Sequence, residues 1–171
     1  ETYGTFPAIG AAYKIFDNVD GTLNTLKARL NYGITGNQEF DNNSALFVGQ
    51  YNNTAFNPST NVNNALKWET TTSYGAGIDY AILDNKLSGS IDVFLKDTED
   101  LIFPTDPAGG VPGASIRRFI NLPGKLRNTG VEFSANYDAV QTEDIDFSFG
   151  ANMSYIKNEM LDFDRIEFTG N

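Results

Sequence analysis

Carboxylates crowd one stretch of this chain. Asp97, Glu99 and Asp100 stand together in the segment KDTED, and a carboxylate pair is what a glycoside hydrolase uses, one group as acid and one as base or nucleophile. That chemistry needs the two groups held at a defined separation inside a cleft. Asp97 and Glu99 share a strand face but fall at a strand end, so a solvated loop end is the expectation and no catalytic residue is assigned. Calcium is the other use for clustered oxygens, and it takes roughly six to eight of them. FDNNS (Phe40–Ser44) and DFDRIE (Asp162–Glu167) supply oxygens without the spacing of a calcium loop. PGK, at Pro123–Lys125, lacks the spacing of a phosphate-binding loop. No metal, cofactor or nucleotide site is expected.

Two further groups have binding chemistry. Phe47, Tyr51 and Phe56 sit among Asn and Gln residues; aromatic platforms beside amides suit a sugar or a peptide, but packing of the loop on its neighbour is the commoner use of such residues. Arg117 and Arg118 could hold an anion or a partner protein. Along the regular segments, Lys27 and Arg29 face a set of carboxylates, Asp79, Asp92, Glu132 and Asp138, if the strands pair in sequence order. Structural ion pairing is one reading of that set, and a polar substrate path is the other.

Composition narrows the field. The 171 residues carry a net charge of −10, the wrong sign for neutralising phosphates, so no nucleic-acid partner is expected. There is no Cys and no His, which removes disulfides, thiolate zinc sites and every nucleophile that depends on a histidine base. Apolar residues are 40% and aromatics 13%, yet no apolar run approaches the roughly 20 residues of a membrane helix. If the chain meets a membrane it does so as a barrel, because only helices and closed barrels satisfy their backbone in lipid.

The elements that would position these residues are strands. Val, Ile, Thr, Tyr and Phe dominate runs punctuated by Asn, Asp, Gly and Pro, and helical periodicity is absent. The runs predict strands over Thr5–Phe16, Thr25–Thr35, Lys67–Leu83, Lys86–Phe103, Arg127–Val140 and Ile145–Met160. Their connections alternate in length. Short turns at Asp17–Thr22, Asp84–Asn85 and Gln141–Asp144 would lie at one end of an up-and-down sheet, and two long segments at the other. Outer-membrane barrels have this asymmetry, with short periplasmic turns and long extracellular loops.

The faces segregate as well. One face carries Ile9, Ala11, Tyr13 and Ile15, then Ala28, Leu30, Tyr32 and Ile34, then Tyr74, Ala76, Ile78, Tyr80 and Ile82. It continues through Leu87, Ile91, Val93 and Leu95, then Val131, Phe133, Ala135 and Tyr137, and ends on Phe147, Phe149, Ala151, Met153 and Tyr155. Lys14, Lys27, Arg29, Asp79, Asp92, Lys96, Glu132, Asp138 and Asp146 fall on the opposite face. Lipid enforces such a division, and so does the core of a β-sandwich. Aromatics stand at two levels, Tyr13, Tyr80, Tyr137 and Phe147 near the short turns and Tyr32, Trp68 and Tyr155 toward the long segments; this matches the two girdles of a membrane barrel, though Tyr and Phe are also good strand formers anywhere.

Four stretches carry a resemblance: GTFPAIGAAYKI, LKARLNYGITGNQEF, LKWETTTSYGAGIDYAILDNKLSGSIDVFLKDTEDLI and LRNTGVEFSANYDAVQTEDIDFSFGANMSYIKNE. Most specific are LNYGITGNQ, the long third stretch and NTGVEFS. In this order the chain resembles the SusC/RagA-type TonB-dependent outer-membrane transporters of Bacteroidetes. The resemblance implies an all-β fold: an antiparallel, up-and-down transmembrane β-barrel segment, about six strands of a barrel of roughly 22. It implies that residues 1–171 are an internal piece of the barrel's later part, without the N-terminal plug, the TonB-contacting segment or a closing strand. It also implies a location in the cell outer membrane and import of glycan or peptide fragments. The implied partners are TonB, acting through the missing N-terminal part, and a SusD-like surface lipoprotein. Lys27, Arg29, Asp79, Asp92, Glu132 and Asp138 would face the lumen. Phe47, Tyr51, Phe56, Arg117 and Arg118 would meet substrate or partner at the long-loop end. A small standalone outer-membrane barrel and a soluble β-sandwich binding or adhesion protein remain as alternatives.

Overall fold

A computed structural model describes residues 4–18, 22–38, 49–52, 55–58, 65–105 and 118–163. Six long strands form one antiparallel sheet: β1 (Ala8–Asp17), β2 (Leu23–Asn37), β5 (Glu69–Ile82), β6 (Leu87–Glu99), β9 (Lys125–Gln141) and β10 (Asp146–Leu161). Their spatial order is β1-β2-β5-β6-β9-β10, which is also their order in the chain. The sheet is therefore up-and-down, with the short turns at one end as the alternation of connections predicts. Four short strands add two hairpins inside the long connections, β3 (Gly49–Asn52) with β4 (Ala55–Pro58) and β7 (Ile102–Thr105) with β8 (Arg118–Asn121). The sequence pattern predicts both segments as loops and a fourth strand running to Phe103. The strand instead ends at Glu99, where Asp100 takes a left-handed φ of 55°, and it restarts as β7.

The short-turn end is built tightly. Between β5 and β6 a four-residue turn, Leu83–Lys86, has three consecutive left-handed residues, Leu83, Asp84 and Asn85, and is closed by the Lys86 N–H donating to the Leu83 carbonyl at 3.1 Å; Asp and Asn tolerate that conformation better than most residues. In the last turn Thr142 closes the loop twice: its N–H donates to the Ile145 carbonyl at 2.8 Å and its Oγ1 accepts from the Ile145 N–H at 3.0 Å. Three register shifts lie at this same end, one on β1 between Lys14 and Phe16, one on β2 between Leu23 and Thr25, and one on β9 opposite Phe147 and Ser148. Bulges concentrate at barrel rims because each adds local twist. The first changes an expectation. Ile15 is the bulged residue, and Phe16 takes the place opposite Leu26 on the apolar face.

Asn24 sits at the second bulge, only 1% exposed. Its Oδ1 accepts from the Asn85 N–H at 3.0 Å, and its carbonyl accepts from the Asn18 N–H at 2.8 Å. One residue thus ties two neighbouring turns. Asn24→Leu removes the acceptor of the Asn85 N–H, a part-buried hydrogen bond, and a typical bond of this kind contributes about 0.5–1.5 kcal/mol. The full-length barrel should show the corresponding loss in thermal or denaturant unfolding, while Asn24→Asp, which keeps an acceptor oxygen, should lose less. Equal stability of Asn24→Leu and the parent would remove Asn24 from this role.

No hydrophobic side chain is buried among the described residues. The sheet is a single layer. On its apolar face Ile9, Tyr13, Leu30, Tyr74, Met153 and Tyr155 are all more than half exposed. A β-sandwich exists to bury such a face against a second sheet, so the sandwich alternative falls. The small standalone barrel falls too, because β1 and β10 are the two ends of the strand order and do not pair with each other.

Candidate functional site

On the polar face the register brings the sequence-predicted charges together. Lys27 stands opposite Asp79, and Asp92 stands opposite Glu132. Gly77 lies between Arg29 on β2 and Asp92 on β6, paired with both. A Cβ on Gly77 would collide with the Asp92 carboxylate and crowd the Arg29 guanidinium. Glycine there opens a passage across β5, and Arg29 uses it. Its Nε donates to both oxygens of Asp79 at 2.9 and 3.0 Å. Its Nη2 donates to Asp79 at 2.8 Å and to Asp92 at 2.8 Å. Lys27 adds a longer contact to Asp79 at 3.6 Å. One planar guanidinium therefore staples three consecutive strands, a use that a point-charge ammonium would fill poorly.

Beside this staple, Ser90 and Ser134 share a hydroxyl hydrogen bond at 3.0 Å. With Asp92, Glu132, Asn152 and Ser154 they line a small polar depression. Glu132 has no ion-pair partner among the described residues. Asp138 stands apart from this cluster, six residues further along β9, and accepts from the Asn136 amide at 3.3 Å. The polar face is not uniformly polar: the Phe94 ring lies over Gly130, with Lys96 Nζ 5.2 Å from its centroid.

Charges stand on the other face too, beyond the apolar sets predicted from the sequence. Asp97 and Glu99 follow the apolar parity of Leu95, and Arg127 and Lys125 are their cross-strand partners. Arg127 holds Asp97 in a bidentate pair at 2.7 and 2.6 Å, and Lys125 reaches Glu99 at 3.1 Å. Lys157 and Glu159 continue the parity of Tyr155 and pair at 2.7 Å. These six residues make a charged tier above the apolar band, at the long-connection end. The signal was present in the parity, since counting by twos from Leu95 or Tyr155 lands on them. Asp97 and Glu99, weighed as a catalytic pair, are each engaged by a cation on β9.

Below that tier the apolar band runs from Tyr74 to Ile82 along β5. At about 3.3 Å per residue this spans about 26 Å. A tilt of about 40° brings it to about 20 Å, close to the apolar belt of outer-membrane barrels. Tyr32 and Tyr74 mark its upper edge, with ring centroids 5.2 Å apart, and Tyr137, Phe147 and Phe149 cluster at its lower edge.

The loop candidates are placed less fully. Phe47 and Arg117 lie outside the described residues, as does the FDNNS segment and DFDRIE beyond Phe163. Tyr51 and Phe56 are partners across the β3–β4 hairpin, and Arg118 opens β8 opposite Thr105.

The whole chain, residues 1–171, matches the family model described as TonB dependent receptor-like, beta-barrel. The chain belongs to that family. TonB-dependent receptor SusC of Bacteroides thetaiotaomicron is 33% identical over 92% of this chain and 17% of its own length. TonB-dependent receptor P3 of Formosa agariphila is 34% identical over 93% of this chain and 17% of its own. Among solved structures, the RagAB peptide importer in its closed-closed state superposes with a TM-score of 0.77 at 25% identity, over 91% of this chain and 18% of the matched one. The chain thus spans about a sixth of the length of these relatives. It is a SusC/RagA-like TonB-dependent receptor sheet: six strands of antiparallel barrel wall.

Proposed function

We propose that these strands form part of the wall of an outer-membrane transporter that takes up glycan or peptide fragments under the control of TonB, with a SusD-like lipoprotein as partner. The observation that carries this reading is the open, two-faced sheet. An apolar face more than half exposed over many large side chains, with unpaired edges on both sides, is untenable alone in water or in lipid. The rest of a longer polypeptide closes the barrel on both edges and supplies the plug and the TonB-contacting segment. In that barrel the face of Leu30, Ile78, Ile91 and Phe149 meets lipid. Lys27, Arg29, Asp79, Asp92, Glu132 and Asp138 line the lumen.

The long connections then lie outside the cell, and the lipoprotein caps that end. Phe47, Tyr51, Phe56, Arg117 and Arg118 belong to the chamber between them. Purification of the full-length protein from its native membrane should bring down a surface lipoprotein. Deletion of residues 41–60 should reduce uptake of the oligosaccharide or peptide cargo by at least roughly ten-fold, the scale of about 1.4 kcal/mol in binding. Uptake that survives both loss of the lipoprotein and loss of that segment would show that this end has no part in capture.

A further inference from the structure

The two long connections leave the sheet side by side, one entering β5 through Lys67 and Trp68, the other leaving β6 at Asp100 and returning through β8. The Asn121 side chain touches both. The Asn121 Oδ1 accepts from the Lys67 N–H at 2.8 Å, and its Nδ2 donates to the Lys67 carbonyl at 3.0 Å. The same Nδ2 donates to the Asp100 carbonyl at 2.7 Å. Toward Lys67 the primary amide behaves as a peptide group would, giving and receiving in the same place. Toward Asp100 it supplies the donor where the chain turns through a left-handed residue.

Other contacts converge on the same point. The Leu122 N–H donates to the Leu101 carbonyl at 2.8 Å, closing the base of the β7–β8 hairpin. Lys67 Nζ lies 3.9 Å from Asp100. The Trp68 ring packs at a tilt against Phe6, just ahead of β1, with centroids 5.4 Å apart. The base of the second connection is thus bonded to the end of the first, and through Trp68 to the start of the sheet.

We propose that Asn121 is a positioning residue that joins the bases of the two long connections into one mechanical unit, so that β7–β8 and the entry to β5 order and loosen together. For its consequence in uptake this rests on the reading that the long-connection end captures cargo; the coupling itself does not. Only an amide fills the role. Asp keeps the acceptor but places a carboxylate against two carbonyls, and Ala offers neither group.

The test is hydrogen exchange on the full-length protein in lipid, comparing the parent with Asn121→Asp and Asn121→Ala. Exchange should accelerate by about ten-fold or more at residues 67–70 and at 101–105 together, with residues 84–90 at the far end unchanged. Cargo uptake should show a raised KM with little change in maximal rate. Acceleration confined to 118–122, with 67–70 unaltered, overturns the proposal. Should Asn121→Ala fail to assemble, the nearly isosteric Asn121→Asp decides alone by the same criterion. Coupled exchange with unchanged uptake would uphold the coupling and count against the capture reading.

Discussion

Leu30→Arg should impair assembly of the full-length protein into membranes much more than Asn31→Arg, its neighbour in the chain, which should leave assembly close to that of the parent. Leu30 is 63% exposed at the middle of the apolar face, in a row with Ala11 and Ala76. In lipid that exposure is contact with hydrocarbon, and an arginine at the midplane costs about 2–4 kcal/mol. Ala11 and Ala76 offer no polar atom to offset it. Asn31 points the other way, over Gly75, among groups that already include Arg29. Assembly of both variants can be followed by protease-resistant, heat-modifiable migration after membrane extraction. Equal assembly would mean that the two faces are not divided between lipid and lumen in this phase.

Arg29→Met should destabilise the assembled barrel by about 1–3 kcal/mol, less than the loss expected for a fully buried pair because Arg29, Asp79 and Asp92 are each about a third exposed. The change leaves Asp79 with only the longer Lys27 contact and Asp92 beside Glu132 without its cation. Asp92→Asn in the Arg29→Met background should recover part of the loss, since it removes one of the stranded charges. Gly77→Val should reproduce the defect with every charge retained, by closing the space through which Arg29 crosses β5. Melting temperatures of the four proteins decide the matter. A Gly77→Val barrel as stable as the parent would show that the passage over Gly77 is not needed.

What the sequence revealed, and what it hid, divides along a physical line. Strands and faces were legible because a two-residue period survives over ten or more residues of β2, β5 and β9, and because charge is kept off one side of that period. The Arg29 cluster followed from antiparallel neighbours alone, since pairing β2 with β5 and β5 with β6 brings Lys27, Arg29, Asp79 and Asp92 into adjacent rows. The bulges were not legible. A single inserted residue, such as Ile15, leaves the run of apolar residues intact while moving Phe16 to the other face. The charged tier of Asp97, Glu99, Lys125, Arg127, Lys157 and Glu159 was hidden because the apolar sets stop short of the strand ends, where the same parity carries paired charges. Gly77 gave no signal apart from the other glycines of its strand, because its importance lies in the side chains on either side of it. Asn121 gave none either, since it works by matching a backbone group of a residue far away in sequence.

The central claim is that this sheet separates lipid from a polar lumen, and β10 tests it most directly. The segment contains no cysteine, so single cysteines can be placed at each position from Phe147 to Tyr155 in the full-length protein, in a background free of other reactive thiols, and reconstituted in bilayers. A membrane-dissolved thiol reagent should label positions 147, 149, 151, 153 and 155, and a membrane-impermeant, water-soluble reagent admitted to the barrel interior should label 148, 150, 152 and 154. Labelling that shows no period of two, or that places the odd-numbered positions in water, would contradict the account.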